Sequence, residues 1–229
     1  MTTATDQRQL ALAASREMEN ASATEILQWA YTEFGNRLVV TSSLADTVMI
    51  HLAEQVAPGI DVIFLDTGYH FAETLGTRDA VAAVHNVNLI SLTPEHTPAE
   101  QDAIWGKDLF ATNPDLCCAM RKTQPLDHAL TNYSAWASGV RRADSPARAK
   151  TPIVSWDSRR ELIKISPIAK WSDADVADYI EQNSLMVNPL LDDGYLSIGC
   201  APCTARPLPG DPRSGRWAGL AKTECGIHL

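Results

Sequence analysis

The five cysteines of this chain fall into three groups whose spacing could do chemistry. Cys117 and Cys118 are adjacent, with Arg121 and Lys122 close behind them. Cys200 and Cys203 form a Cys-x-x-Cys pair, and Cys225 stands near the C-terminus in Glu224-Cys225-Gly226-Ile227-His228. Four thiols in two pairs suggest a four-thiolate metal site. A single zinc ion takes its ligands tetrahedrally around one atom, usually from two Cys-x-x-Cys pairs. Adjacent side chains diverge and serve one ion poorly, whereas an iron–sulfur cube offers each thiolate its own iron. The spacing therefore favours a 4Fe-4S cluster over zinc. Disulfides come last, because nothing else in the chain points to an oxidising compartment.

Cys225 is left over, and an odd cysteine outside a metal set is a candidate nucleophile; an incidental buried thiol is the alternative. Gly226 follows it and His228 lies three residues on. A mobile tail is expected there, and a histidine or arginine beside the thiol would favour thiolate.

The elements that must position these groups are legible in part. With 229 residues and a 45% hydrophobic share, the chain suits one large domain, or one domain with an appendage. A net charge of −9 argues against a general nucleic-acid binder. The basic residues are nevertheless grouped, at Arg121-Lys122, Arg141-Arg142, and Arg206, Arg213 and Arg216, as a small anionic substrate would need. The N-terminus lacks a signal-peptide core and no apolar run reaches a membrane span, so a soluble, cytoplasmic protein with no membrane partner is expected.

Short buried strands are expected at 38–41, 62–65, 87–92, 135–140 and 161–165. Helices are expected near 6–20, from the Ser22 capping box to Phe34, and over 47–56 and 71–84. Others should begin at Thr97-Pro98, run past Cys117-Cys118 to Lys122, and run from Ser172 to about Asn183. That alternation predicts a mostly parallel sheet covered on both faces, with ligands beyond the C-terminal strand ends. The loops at Ser42-Ser43 and Asp66-Thr67 lie on that edge, and Arg141-Arg142 are delivered to it. If the segment is helical, Cys118 and Lys122 share a face at i, i+4. The polar stretch Ala143–Ser155 reads as a mobile loop, and the Pro- and Gly-rich Pro207–Gly215 as a linker.

Taken together, Leu65-Asp66-Thr67-Gly68-Tyr69-His70-Phe71, Cys117-Cys118-x-x-Arg121-Lys122, Gly139-Val140-Arg141-Arg142, Gly199-Cys200-Ala201-Pro202-Cys203, Gly215-Arg216-Trp217 and Glu224-Cys225-Gly226-Ile227-His228 resemble one family. It is the assimilatory sulfonucleotide reductases, within them the iron–sulfur adenylyl-sulfate reductases of bacteria, and most closely the actinobacterial members. The resemblance implies an α/β fold, Rossmann-like, of the PP-loop adenine-nucleotide α-hydrolase type. Residues 1–206 would form the cluster-bearing domain and 207–229 a mobile segment carrying the catalytic cysteine. Ser42 to Asp46 takes the place of the pyrophosphate loop, but without its Gly-Gly pair, which counts against an ATP-cleaving enzyme.

The resemblance further implies thioredoxin-dependent reduction of adenosine 5'-phosphosulfate to sulfite and AMP through an S-sulfocysteine on Cys225. His228 and Lys122 would assist. Lys122, Arg141, Arg142, Arg213 and Arg216 would surround the phosphosulfate, Ser42, Ser43, Leu65 and Thr67 would hold the nucleoside, and Arg121 and Gly139 would also bind the substrate. Cys117, Cys118, Cys200 and Cys203 would hold a 4Fe-4S cluster that tunes the site without donating electrons. Two alternatives stay open, reduction of the 3'-phosphorylated substrate and a non-catalytic metal-bound regulatory module. A homo-oligomer is neither required nor excluded.

Overall fold

Buried β-branched strands alternate with amphipathic helices, and a parallel sheet covered on both faces is what that pattern builds. The computed structural model describes residues 4–220 and 222–228. In chain order the helices are α1 (Ala4–Glu17), α2 (Ala23–Phe34), α3 (Val48–Val56), α4 (Ala72–Val84) and α5 (Pro98–Trp105). They continue with α6 (Leu109–Thr112), α7 (Pro114–Cys118), α8 (Gln124–Leu130) and α9 (Asp173–Gln182). The strands are β1 (Leu38–Thr41), β2 (Asp61–Leu65), β3 (Asn88–Leu92), β4 (Ala135–Ser138), β5 (Val154–Asp157) and β6 (Leu162–Ile165).

The sheet order is β3-β2-β1-β4-β6-β5, parallel throughout except for β5, which pairs antiparallel with β6. The fold class expected from the sequence is thus the observed one. Chain order runs outward from β1 to β3 on one side and resumes at β4 on the other, so β1 and β4 flank a topological switch point. The paired residues Thr41 and Ser138 end those two strands, and ligands of open parallel sheets bind in the crevice beyond such ends.

Capping boxes at Ser22, Thr97 and Ser172 start α2, α5 and α9 as their sequences require. The larger apolar cluster packs α1 to α3 against β1, β2 and β4; the smaller one sits under α8 around Trp136, with Val39, Ile63, Leu126, Leu130 and Leu162. No helix among the described residues is long and apolar enough to cross a membrane.

Two expectations need correction. Ala143–Ser155 is not structureless: the chain forms short 3-10 turns at Arg142–Asp144 and Pro146–Arg148, and β5 begins at Val154. Half-buried ion pairs from Arg148 to Asp144 and Glu224 fix the stretch. β5 went unread because four residues of alternation, just after Pro152, make only a short strand signal. The stretch read as a linker closes on itself. The Ala205 N–H donates to the Gly215 carbonyl, Thr204 bridges Arg216, and the Trp217 N–H donates to the Cys203 carbonyl.

Candidate active site

The segment carrying the first cysteine pair is helical, as expected, but not uniformly α. Asn113 caps α7 and Pro114 occupies its first turn. After Cys118 the ladder widens into a π-helical turn over Ala119–Thr123 before α8 resumes. Such a turn inserts a residue into the helical register and is frequent at functional sites. It buries Arg121, Lys122 and Thr123 together with both cysteines.

Cys117, Cys118, Cys200 and Cys203 line one pocket of about 300 Å³, counting its open mouth, with Tyr69, Phe110, Arg121, Lys122 and Trp217. Thr67 Oγ1 lies 3.2 Å from Cys200 Sγ, and the buried Gln101 reaches Cys117. Arg121, only 2% exposed, donates to the His96 carbonyl and lies 4.7 Å over the Tyr69 ring. Burial pushes up the Cys117 thiol, and raises that of Cys203 to about 11.

These residues fit a cluster. Four soft thiol donors converge on the pocket, while Arg121 Nε and Nη2 and Trp217 Nε1, on residues that line it, are buried without hydrogen-bond partners. Buried donors of that kind are costly unless a further acceptor is present, and a cluster's sulfurs would be one. Among the described residues, no group of three His, Cys, Asp or Glu side chains is arranged to hold a metal ion.

Cys225 comes to the same place. Its sulfur lies against Cys118 and accepts from the Ile227 N–H, with Lys122 and Lys222 nearby. The Cys118 hydrogen bond, the two ammonium groups and that N–H outweigh burial and lower the Cys225 thiol below its ordinary range. Burial disfavours the Lys122 ammonium, but the sulfurs of Cys200 and Cys225 more than offset this, so it is held charged. Lys222 is itself anchored by Asp115 and lies 5.5 Å from the Trp217 ring.

The remaining tail residues dock elsewhere. Glu224 is paired with Arg148 and Arg213. The His228 ring stacks parallel on Trp136 at 5.7 Å. Burial first, then the charges of Lys164, Arg148, Arg160 and Arg213, hold that imidazole neutral to well below pH 6.5. Its Nδ1 has no hydrogen-bond partner. The ring is therefore not the group set against Cys225; the ammonium groups are.

The other expected residues divide. Ser42 follows β1, donating its N–H to Ile63 and accepting at Oγ from Leu44; Ser43 beside it is exposed. Leu65 ends β2 and its carbonyl accepts from His70 Nε2. Gly139 follows β4, where a Cβ would stand 3.1 Å from Met49. These sit around the switch point. Arg141 also leaves that edge, held by Asp144 and Asp173. Arg213 reaches Ser197 and the tail, and Arg216 donates to the Ile198 carbonyl beside Lys122.

Three expected residues are placed differently. Arg142 turns to Glu19, pairing with both carboxylate oxygens, and to the Thr151 carbonyl. Thr67 and Arg121 face the thiol pocket. Sequence reasoning missed Gln101, Tyr69, Trp136, Arg148, Arg160 and Lys164. The signal for the last three was a series of cations, Arg148, Arg159, Arg160 and Lys164, from the Pro146 turn into β6.

The phosphoadenosine phosphosulfate reductase domain profile matches residues 37–206. Over 232 residues the chain is 55% identical to an adenosine 5'-phosphosulfate reductase of Mycolicibacterium smegmatis, covering all of this chain and 98% of that one. A Streptomyces coelicolor protein of the same name is 59% identical over 220 residues, 96% of this chain and 93% of its own. Among solved structures, a phosphoadenylyl-sulfate reductase from Candida auris superposes with a TM-score of 0.76 at 29% identity, over 85% of this chain and 96% of that one. An FMN adenylyltransferase of Candida glabrata shares the fold alone, at 10% identity and a TM-score of 0.59 over 88% of this chain and 74% of its own.

Proposed function

This chain belongs to the phosphoadenosine phosphosulfate reductase family, and on that footing we propose that it reduces adenosine 5'-phosphosulfate to sulfite and AMP, with Cys225 as nucleophile and thioredoxin as electron donor. It is an oxidoreductase. The observation that carries the reading is the position of Cys225 beside Lys122 and the four-thiol pocket, in a chain 55% identical over its whole length to a reductase named for that substrate.

The Cys225 thiolate attacks the sulfur of the sulfate group, an S–S bond forms, the S–O bond to phosphate breaks, and AMP leaves with the electron pair. Anion meets anion in that step, so fixed cations must neutralise the approach and the developing charge on the leaving oxygen. Lys122, held charged among the sulfurs, has that part, with Arg216 and Arg213 beside it. The nucleoside lies in the crevice between Ser42–Asp46 and Gly139–Arg141, beyond the β1 and β4 ends. A thioredoxin thiolate then attacks Cys225 Sγ, sulfite departs, and the second thioredoxin thiol frees Cys225 as thioredoxin becomes a disulfide.

Cys117, Cys118, Cys200 and Cys203 would hold a 4Fe-4S cluster, which, when bound, would supply acceptor sulfurs to the buried donors around it and tie α7 to the segment after Gly199. Arg121, Thr67 and Gln101 orient those ligands. Arg142 is assigned to bracing the turn after the N-terminal helix against the β4 edge, not to the phosphosulfate. Residues 1–206 act as the nucleotide- and cluster-binding domain and 207–229 as the segment that presents the nucleophile; cytoplasmic assimilation is the setting this reaction fits.

The test is the intact mass of anaerobically purified protein mixed with adenosine 5'-phosphosulfate, with thioredoxin withheld. A sulfonate adduct on Cys225, removed by reduced thioredoxin, is expected. An adduct only with the 3'-phosphorylated substrate would reassign the substrate. No adduct with either, from protein of confirmed iron content, would remove the covalent mechanism.

A further inference from the structure

Every described tail residue from Glu224 to His228 touches a specific group outside the tail, Cys225 through Cys118 and the others as follows. Glu224 receives Arg148 bidentately, Nε to Oε1 at 3.0 Å and Nη2 to Oε2 at 2.8 Å, and Ser145 Oγ adds a third contact at 3.3 Å. Three successive tail carbonyls then accept from three cations: Gly226 from Arg159 at 3.5 Å, Ile227 from Arg160 at 3.0 Å, and His228 from Lys164 at 3.5 Å. The His228 ring lies on Trp136, over which Arg160 and Lys164 also sit at 5.3 and 5.1 Å. Gly226 passes Thr123 so closely that a Cβ would lie 3.4 Å from its hydroxyl.

The donors come from one neighbourhood, the Pro146 turn and the β5–β6 hairpin, and are themselves braced. Asp144 fixes Arg148 and Asp157 fixes Arg160, while Asp127 on α8 pairs with both Arg159 and Arg160. Arg148 and Glu224 are only 14% and 11% exposed. A planar guanidinium with five fixed donors suits this double duty, and a lysine would not reproduce it. The contacts run along consecutive residues, so the register of the tail is set, and with it the place of the Cys225 sulfur beside Lys122.

We propose that Arg148, Arg159, Arg160, Lys164 and Trp136 form a seat for the tail, acting as positioning residues for the nucleophile, with the Glu224–Arg148 pair as its latch. The proposal rests on the reading of Cys225 as nucleophile. A seat of this kind holds the thiolate in place for attack and must be vacated before a protein reductant can reach the sulfur. Weakening it therefore has opposite effects on the two half-reactions, which general destabilisation would not produce.

The experiment uses iron-loaded full-length protein and Glu224→Gln, which keeps shape and removes charge. Three rates are read: alkylation of Cys225 by iodoacetamide without substrate, formation of the Cys225 adduct with adenosine 5'-phosphosulfate in a single turnover, and release of sulfite from preformed adduct by reduced thioredoxin. Glu224→Gln should be alkylated roughly tenfold faster, form adduct roughly tenfold slower and release sulfite no slower than the parent; tenfold corresponds to ~1.4 kcal/mol, the low end for hydrogen bonds to a charged group. Lys164→Met, which removes a different part of the seat, should move alkylation and adduct formation the same way, and it replaces Glu224→Gln should that variant lose iron. Unchanged alkylation and adduct formation in a variant with full iron would overturn the seat. Failure of the parent to form adduct would instead overturn the nucleophile.

Discussion

At the scale of single residues, the tail shows how one ionisable type takes different roles by environment. Lys122 stays charged because sulfurs surround it, whereas Lys164 on β6 has burial against it and is lowered to about 8. Asp157 pulls it back only in part, and Arg160 and Arg148 push it further down. For a lysine lowered on folding, the unfolded chain binds the extra proton between the folded value of about 8 and the ordinary ~10.4, so stability rises with pH through that window. Below pH 8 the buried charge costs stability. Lys164→Met should therefore melt at or above the parent temperature at pH 7, and the gap should close as pH rises from about 8 toward 10. Thermal melts of the two proteins across that range decide it; a variant less stable at pH 7 would mean that the Trp136 and His228 contacts outweigh desolvation.

At the scale of elements, the closed loop from Thr204 to Arg216 separates two glycines of similar appearance in the sequence. A Cβ on Gly215 would lie 1.9 Å from the Ala205 carbonyl oxygen, which is backbone and cannot step aside without opening the loop. A Cβ on Gly199 would lie 2.2 Å from the Arg216 guanidinium, the free end of a flexible side chain. Gly215→Ala should thus displace Cys203 and lower iron per chain, with activity falling in parallel. Gly199→Ala should keep its iron but raise KM for adenosine 5'-phosphosulfate roughly tenfold, the ~1.4 kcal/mol of one displaced charge-assisted contact. Iron assay and initial-rate kinetics separate the two. The strands and capped helices were legible because apolar runs and Ser/Thr-x-x-Glu/Asp spacings are local signals. The four-thiol set was legible from cysteine spacing. What escaped was non-local. Glu224 pairs with Arg148 across 76 positions, and nothing in either neighbourhood marks the partner. Arg142, adjacent to Arg141, turns to Glu19, and sequence adjacency does not reveal which guanidinium faces which side.

At the scale of the whole molecule, the apolar core and the chemistry are nearly separate. The larger core cluster takes no residue beyond Leu185, and the smaller one takes only Ile227 from the tail, half-buried at its margin. The tail is held mainly by charge and by one ring stack, contacts that can be made and broken without disturbing the sheet. A chain ending at Trp217 should therefore keep its sheet and its four thiols. It would lose Glu224 from Arg148 and Arg213, but Asp144 remains as a partner for Arg148. For a protein of this size a loss of 1–2 kcal/mol corresponds to a few degrees, so the truncated protein should melt within about 5 °C of the parent. Iron content should be unchanged and turnover absent. Had the tail been part of the folding core, truncation would remove iron and cooperative melting together, and the division between a rigid nucleotide-binding body and a docked nucleophile-bearing segment would fall with them.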